Sequence, residues 1–184
     1  HALSSAGTGG FSNRNASVGA YGSVAIDLII TVFILLFSVN FAVYFLLLTR
    51  KFRDILASDE LRFFLTVVAG STLLIAWNIR GLYSSFAQAL RYAVFQVASI
   101  ISTTGFATAD FTLWPQLSHL ILILIMFCGA CAGSTGGGMK CSRILILGRS
   151  LRREIHRIVH PRSVEVVTLD GKVVEEETIH SALT

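Results

Sequence analysis

Two short loops, Thr8-Gly9-Gly10-Phe11 and Thr103-Thr104-Gly105-Phe106, carry the residue types a cation cage needs. A dehydrated cation such as potassium requires a ring of oxygens. Successive backbone carbonyls supply it when their peptide planes all face inward, replacing the hydration shell. Glycine permits the backbone angles this demands, and threonine adds hydroxyl oxygens. No acid is needed inside such a loop. Asp110 lies just beyond the second one, either drawing cations to a mouth or capping a turn as a solvated carboxylate. A third stretch runs through Gly129, Gly133, Ser134, Thr135, Gly136, Gly137 and Gly138 to Lys140. Glycine inside a helix costs about 1 kcal/mol against alanine, so adjacent glycines within an apolar run imply a use for an irregular backbone. The bland alternative is a plain helix end at a membrane surface. Lys140 either occupies a carbonyl-lined site and holds this loop shut, or snorkels to the interface.

The elements that position these loops are apolar helices. The chain has 184 residues, 53% hydrophobic and 14% charged, with a mean hydropathy of +0.69. Soluble domains carry about 25% charged residues, so the expected solvent is a lipid bilayer. The net charge of +4 does not imply nucleic acid, because the basic residues cluster beside apolar runs at 50–62 and 140–162 rather than on one face.

The expected fold is all-α and integral to the membrane. After a loop at 1–17, a transmembrane helix is expected at 18–49, its apolar run at 24–48 interrupted only by Asp27. That run is ample for a hydrocarbon core of about 30 Å. A polar, basic connector follows at 50–60, including Asp59 and Glu60, then a second helix at 61–80. Residues 86–101 are helical in pattern but too short and polar to span, which suggests a half-crossing helix tolerated only within protein or a watery cavity. A loop at 102–110 precedes a broken helix at 114–158. Trp114-Pro115 opens that helix, with proline in a first turn and tryptophan at an interface. In the tail at 159–184, Asp170-Gly171 between β-branched runs signals a hairpin, which predicts a short cytosolic linker. Cys128 and Cys131 form a CxxC pair; packing inside an apolar helix is favoured over a redox or metal role. Placing both basic clusters in the cytoplasm satisfies the positive-inside rule for every segment.

Setting Gly10 on Gly105 and Phe11 on Phe106, 95 residues apart, reveals a weak internal repeat. Each loop precedes a polar stretch and then a long apolar helix. The repeated unit is span, half-helix, glycine loop, span.

The stretches AGTGGFSNRNAS at 6–17, STTGFATADF at 102–111 and GACAGSTGGGMKCSR at 129–143 closely resemble the Trk/Ktr/HKT superfamily of potassium transporters, its TrkH branch above all. The resemblance implies four span–pore-helix–span repeats around one pore, with one filter strand from each. The chain would then hold the second filter with its following helix, the whole third repeat, and the linker to a fourth, as an internal piece of a longer polypeptide. Thr8, Gly9, Gly10 and Phe11, with Thr103, Thr104, Gly105 and Phe106, would line the potassium filter. Residues 129–138 would form an intramembrane gate loop. The family also implies a bacterial cytoplasmic membrane, a homodimer, a TrkA-like cytosolic nucleotide-binding partner, potassium as the bound ion and no organic cofactor. Gly9 stands where the third repeat has Thr104, so the strands are not equivalent.

Other readings fit less well. The run from Gly133 to Lys140 departs from a phosphate-binding loop, since Met139 intrudes and Cys141 replaces the Ser/Thr. No paired carboxylates, nucleophile–base set or metal cluster suggests an enzyme. A non-transporting signalling or assembly subunit, with Gly10 and Gly105 as packing glycines, is the remaining alternative.

Overall fold

The computed structural model describes residues 1–160, 168–170 and 172–173. Its helices are α1 (Ala2–Ala6), α2 (Val24–Ser38), α3 (Phe41–Leu48), α4 (Phe52–Ala57), α5 (Asp59–Ile79), α6 (Phe86–Ile101), α7 (Gln116–Cys128) and α8 (Cys141–Val159). Two-residue strands β1 (Thr168–Leu169) and β2 (Lys172–Val173) pair antiparallel. The remainder of the expected hairpin tail lies outside the described residues.

The apolar run at 24–48 does not form the single helix expected of it. It divides at Val39-Asn40 into α2 and α3, bent by 92°. Val39 is extended, and the Asn40 side chain accepts from Ala42 N at 2.9 Å, capping α3. Asparagine is among the preferred N-cap residues, so Asn40 both ends one helix and starts another.

The second helix is longer than its apolar run. The acidic residues Asp59 and Glu60, expected in a connector, form the first turn of α5 under a Ser58 cap, where they oppose the positive end of the helix dipole. With a following 3-10 turn, the helix extends over Asp59–Leu82, long and apolar enough to cross a membrane.

α5 packs along α6, and small residues set the approach: Ala76, Ala89 and Ala93 are fully buried beside Phe64, Ile75, Ile79 and Ile101. In lipid no hydrophobic force drives helices together, so close packing of small residues and interhelical polar contacts carry the association. Asn78 Nδ2 donates to Ser118 Oγ at 2.8 Å, joining α5 to α7. A second seam joins α2 to α6 through Ile30, Ile34, Phe95 and Ala98 and continues to Phe106. The outward faces of α2, α5 and α7 expose Ile29, Val32, Leu73, Leu74, Ile123 and Leu124, as bilayer or protein neighbours require.

Trp114 is buried within the protein rather than exposed on its surface. It is 4% exposed and its Nε1 donates to Tyr83 OH at 3.0 Å, so it closes the α5–α6–α7 core.

Candidate functional site

The two Gly-Phe loops share one backbone design. α1 ends at Ala6 and α6 at Ile101, the same register once Gly10 is set on Gly105. Gly9 N then donates to Ser4 O at 2.8 Å, and Thr104 N to Ser99 O at 2.9 Å. Positive φ falls at Thr8 and Gly10 in the first loop (48° and 63°) and at Thr103 and Gly105 in the second (59° and 85°). An L residue pays roughly 1–2 kcal/mol to adopt the left-handed region, so a threonine held there in both loops reflects a backbone fixed by its surroundings. Alternating φ sign rotates successive peptide planes, a conformation that can bring neighbouring carbonyls to one side.

The scaffold behind the second loop is polar and satisfied. Ser99 Oγ donates to Phe106 O at 2.6 Å, and the Ser102 and Thr104 hydroxyls lie 2.6 Å apart. Thr104 and Phe106 are buried while Thr103 and Gly105 are accessible, an alternation in step with the alternating sign of φ. The first loop differs at its end, because Phe11 is exposed. The loops touch each other: a Cβ on Gly10 would stand 2.0 Å from the Thr104 carbonyl oxygen.

Residues 129–140 form an irregular loop between α7 and α8 directly against both. Thr8 Oγ1 donates to Thr135 O at 3.0 Å, and Gly137 N donates to Thr103 Oγ1 at 2.8 Å. Its glycines fit backbone against backbone: a Cβ on Gly129 would meet Gly137 O at 2.7 Å, and one on Gly138 would meet Gly129 Cα at 2.7 Å. Gly136 is buried against Ala130 and Ser102. The Lys140 ammonium donates to Gly136 O, and Lys140 itself has φ 70°. The lysine therefore turns back into its own loop.

The helix break at Val39-Asn40 is the seat of this loop. A break frees carbonyls that a membrane interior cannot hydrate. Leu36 O is taken by the Tyr44 hydroxyl, Phe37 O by Thr135 N and Oγ1, and Ser38 O by Cys131 N. In return Gly133 O accepts from Phe41 N at 3.1 Å. Each irregular segment thus satisfies the other.

Residues 1–183 match the TrkH family, described as a cation transport protein. The chain belongs to the TrkH family. It is 38% identical to the Trk system potassium uptake protein TrkH of Halomonas elongata over its full length and 38% of that relative's. It is 32% identical to TrkG of Escherichia coli, covering 98% of the chain and 38% of the relative. The crystal structure of the potassium transporter TrkH from Vibrio parahaemolyticus matches with a TM-score of 0.89 at 34% identity, over 98% of this chain and 40% of that one. The chain therefore spans about two fifths of the length of these relatives. TrkH proteins are membrane transporters rather than enzymes.

Two residues of this chain that matter to the site were not singled out by its sequence. Asn40 sits beneath the glycine loop, its Oδ1 3.0 Å from where a Gly133 Cβ would stand. Glu60, read as part of a polar connector, is 6% exposed and bonds to the loop's backbone. Cys131 and Cys141 are buried and Cys128 is half-buried, all as free thiols.

Asp110 acts as a cap. Its Oδ1 accepts from Thr112 N at 3.0 Å and from the Thr112 hydroxyl. These donors hold its carboxyl below the usual carboxylate range, the hydroxyl contributing most. A depressed carboxyl stabilises above its unfolded pKa and loses that contribution as pH falls through the folded value. Asp110→Asn keeps a capping oxygen and removes the charge. Asparagine ranks with aspartate as a cap, so the variant's thermal midpoint is expected to stay close to the parent's at neutral pH; a clear fall would mean the charge itself, not the capping oxygen, holds the turn.

Proposed function

We propose that this chain supplies two strands of a potassium-selective filter and the gate loop beneath them, within a four-repeat uptake protein of the bacterial cytoplasmic membrane. The observation that carries the reading is the alternation of φ sign at Thr8/Gly10 and again at Thr103/Gly105. Such alternation can bring successive carbonyls to one side, as a cation path lined with carbonyls requires. Thr8, Gly9, Gly10 and Phe11 form one strand; Thr103, Thr104, Gly105 and Phe106 form the other. The relatives' names as potassium uptake proteins favour potassium as the cargo.

The remaining strands come from other repeats of the same polypeptide, which also offer cover for the exposed Phe11. By kinship with Trk systems, the assembled protein is a homodimer working with a TrkA-like cytosolic subunit. Gly129, Gly133, Ser134, Thr135, Gly136, Gly137, Gly138 and Lys140 form the gate, closed across the inner ends of the two strands. The direct test is rubidium uptake by the full-length protein in cells lacking other potassium uptake, with sodium as competitor. Saturable uptake that sodium does not suppress is expected. Equal uptake of both ions, or none in well-expressed protein, rejects the filter.

Lys140 tests the gate. A hydrogen bond to a charged group is worth about 1.5–3 kcal/mol, so removing the ammonium from Gly136 O is expected to raise resting flux by roughly tenfold. The comparison is Lys140→Ala with the parent at equal membrane expression. Unchanged resting flux would return Lys140 to an interfacial role.

A further inference from the structure

The glycine loop leaves α7 at Gly129 and enters α8 at Cys141, and both of its shoulders meet one buried side chain from a distant part of the chain. Glu60 Oε1 accepts from Ala132 N at 2.6 Å and from Ser142 N at 3.1 Å. One shoulder lies just inside the loop, the other in the first turn of α8. At 6% exposure Glu60 makes no salt bridge among the described residues. Its neighbour Asp59 does pair, with Arg149 at 2.9 Å. The carboxylate accepts from the Asn40 side chain and from two backbone N–H groups, the second of them an N-terminal amide that a helix leaves without a partner.

We propose that Glu60 is the positioning residue of the glycine loop, a clasp whose single oxygen holds the loop's two shoulders together. The proposal rests on the gate reading above for its functional consequence, but the clasp itself is a statement about the loop's geometry. With Ala132 and Ser142 tied to one atom, the intervening residues must turn back on themselves. That turn presses Gly129 onto Gly138 and presents Thr135 and Gly137 to Thr8 and Thr103. Releasing the oxygen lets the shoulders separate without touching either Gly-Phe loop.

What the clasp needs is an acceptor at a given reach, not a charge. Glu60→Gln keeps an oxygen at that position. Glu60→Asp keeps the charge but withdraws it by one methylene. A carboxylate that serves as a cation-attracting charge would show the reverse tolerance.

Cys131 and Cys141, buried at the two shoulders at 1% and 0% exposure, are native reporters. The experiment is timed maleimide labelling of the full-length protein in native membranes, with both thiols quantified by peptide mass spectrometry. Resting rubidium flux is measured on the same preparations. The expected result is slow labelling and low flux in the parent and in Glu60→Gln. In Glu60→Asp both thiols label at least about tenfold faster, the equivalent of losing one charged hydrogen bond, and resting flux rises. Equal labelling in all three proteins overturns the clasp, as does fast labelling in Glu60→Gln with slow labelling in Glu60→Asp. Should Glu60→Asp not reach the membrane, the Gln variant alone decides: fast labelling rejects the proposal and slow labelling supports it. Faster labelling with unchanged flux keeps the clasp and rejects the gate reading on which its function rests.

Discussion

Gly105→Ser is expected to reach the membrane at the parental level and to lose rubidium uptake or its resistance to sodium. Gly105 has φ +85°, and nothing lies within 4 Å of where its Cβ would stand. The new side chain meets no neighbouring atom, so folding is disturbed only by backbone strain of roughly 1–2 kcal/mol. The open space it enters is, on the filter reading, the ion path. Gly10→Ala supplies the contrast. Its Cβ would stand 2.0 Å from the Thr104 carbonyl oxygen, a contact that only a backbone shift can relieve. Gly10→Ala is therefore expected to abolish uptake and also to lower the amount of folded protein, because the two loops can no longer lie together. The paired measurement is membrane expression alongside rubidium uptake with sodium competition. Should Gly105→Ser behave as the parent in both respects, the loop does not line the path, and the glycines only pack.

The sequence made the loops legible because their chemistry is local. A helix end, two residues of positive φ and a following phenylalanine all fall within a few positions of each other, twice. The long apolar runs were equally plain, since hydrophobicity is read residue by residue. What escaped reading was set by distant partners. Val39-Asn40 lies within an apolar run whose hydropathy hardly changes at a break; only the N-cap preference of asparagine hinted at one. The carbonyls freed there are satisfied by Cys131 and Thr135, far along the chain. Glu60 stands among charged neighbours and looked like connector, yet its partners are 72 and 82 residues away. Trp114 reads locally as an aromatic at a helix start, and its burial and its bond to Tyr83 were not foreseen. In each case the local residue type was compatible with two environments, and a tertiary hydrogen bond chose between them.

The same logic applies to Asp27, the lone charge in the apolar run at 24–48, which pairs with Arg91 at 3.6 Å across the α2–α6 seam. Ionisable groups in a membrane segment are costly and persist when paired or functional. Their side chains are 6% and 18% exposed, and the Arg91 guanidinium also lies over the Tyr92 ring at 4.6 Å. Removing either partner strands the other. Asp27→Ala and Arg91→Ala are each expected to lower stability by about 3 kcal/mol, the low end for breaking a buried pair because the separation is long and Arg91 is partly exposed. The double variant should lose less than the two single losses combined, by about 1–2 kcal/mol, since contacting charges couple. The measurement is the thermal midpoint of the full-length protein in detergent for the parent, both single variants and the double. Uptake should fall with stability, because this seam also holds Phe95, Ala98 and Phe106 and so fixes where the loop after α6 begins. Additive losses would mean that each charge is satisfied independently; the seam would then owe its register to packing alone, and loop position would be insensitive to the pair.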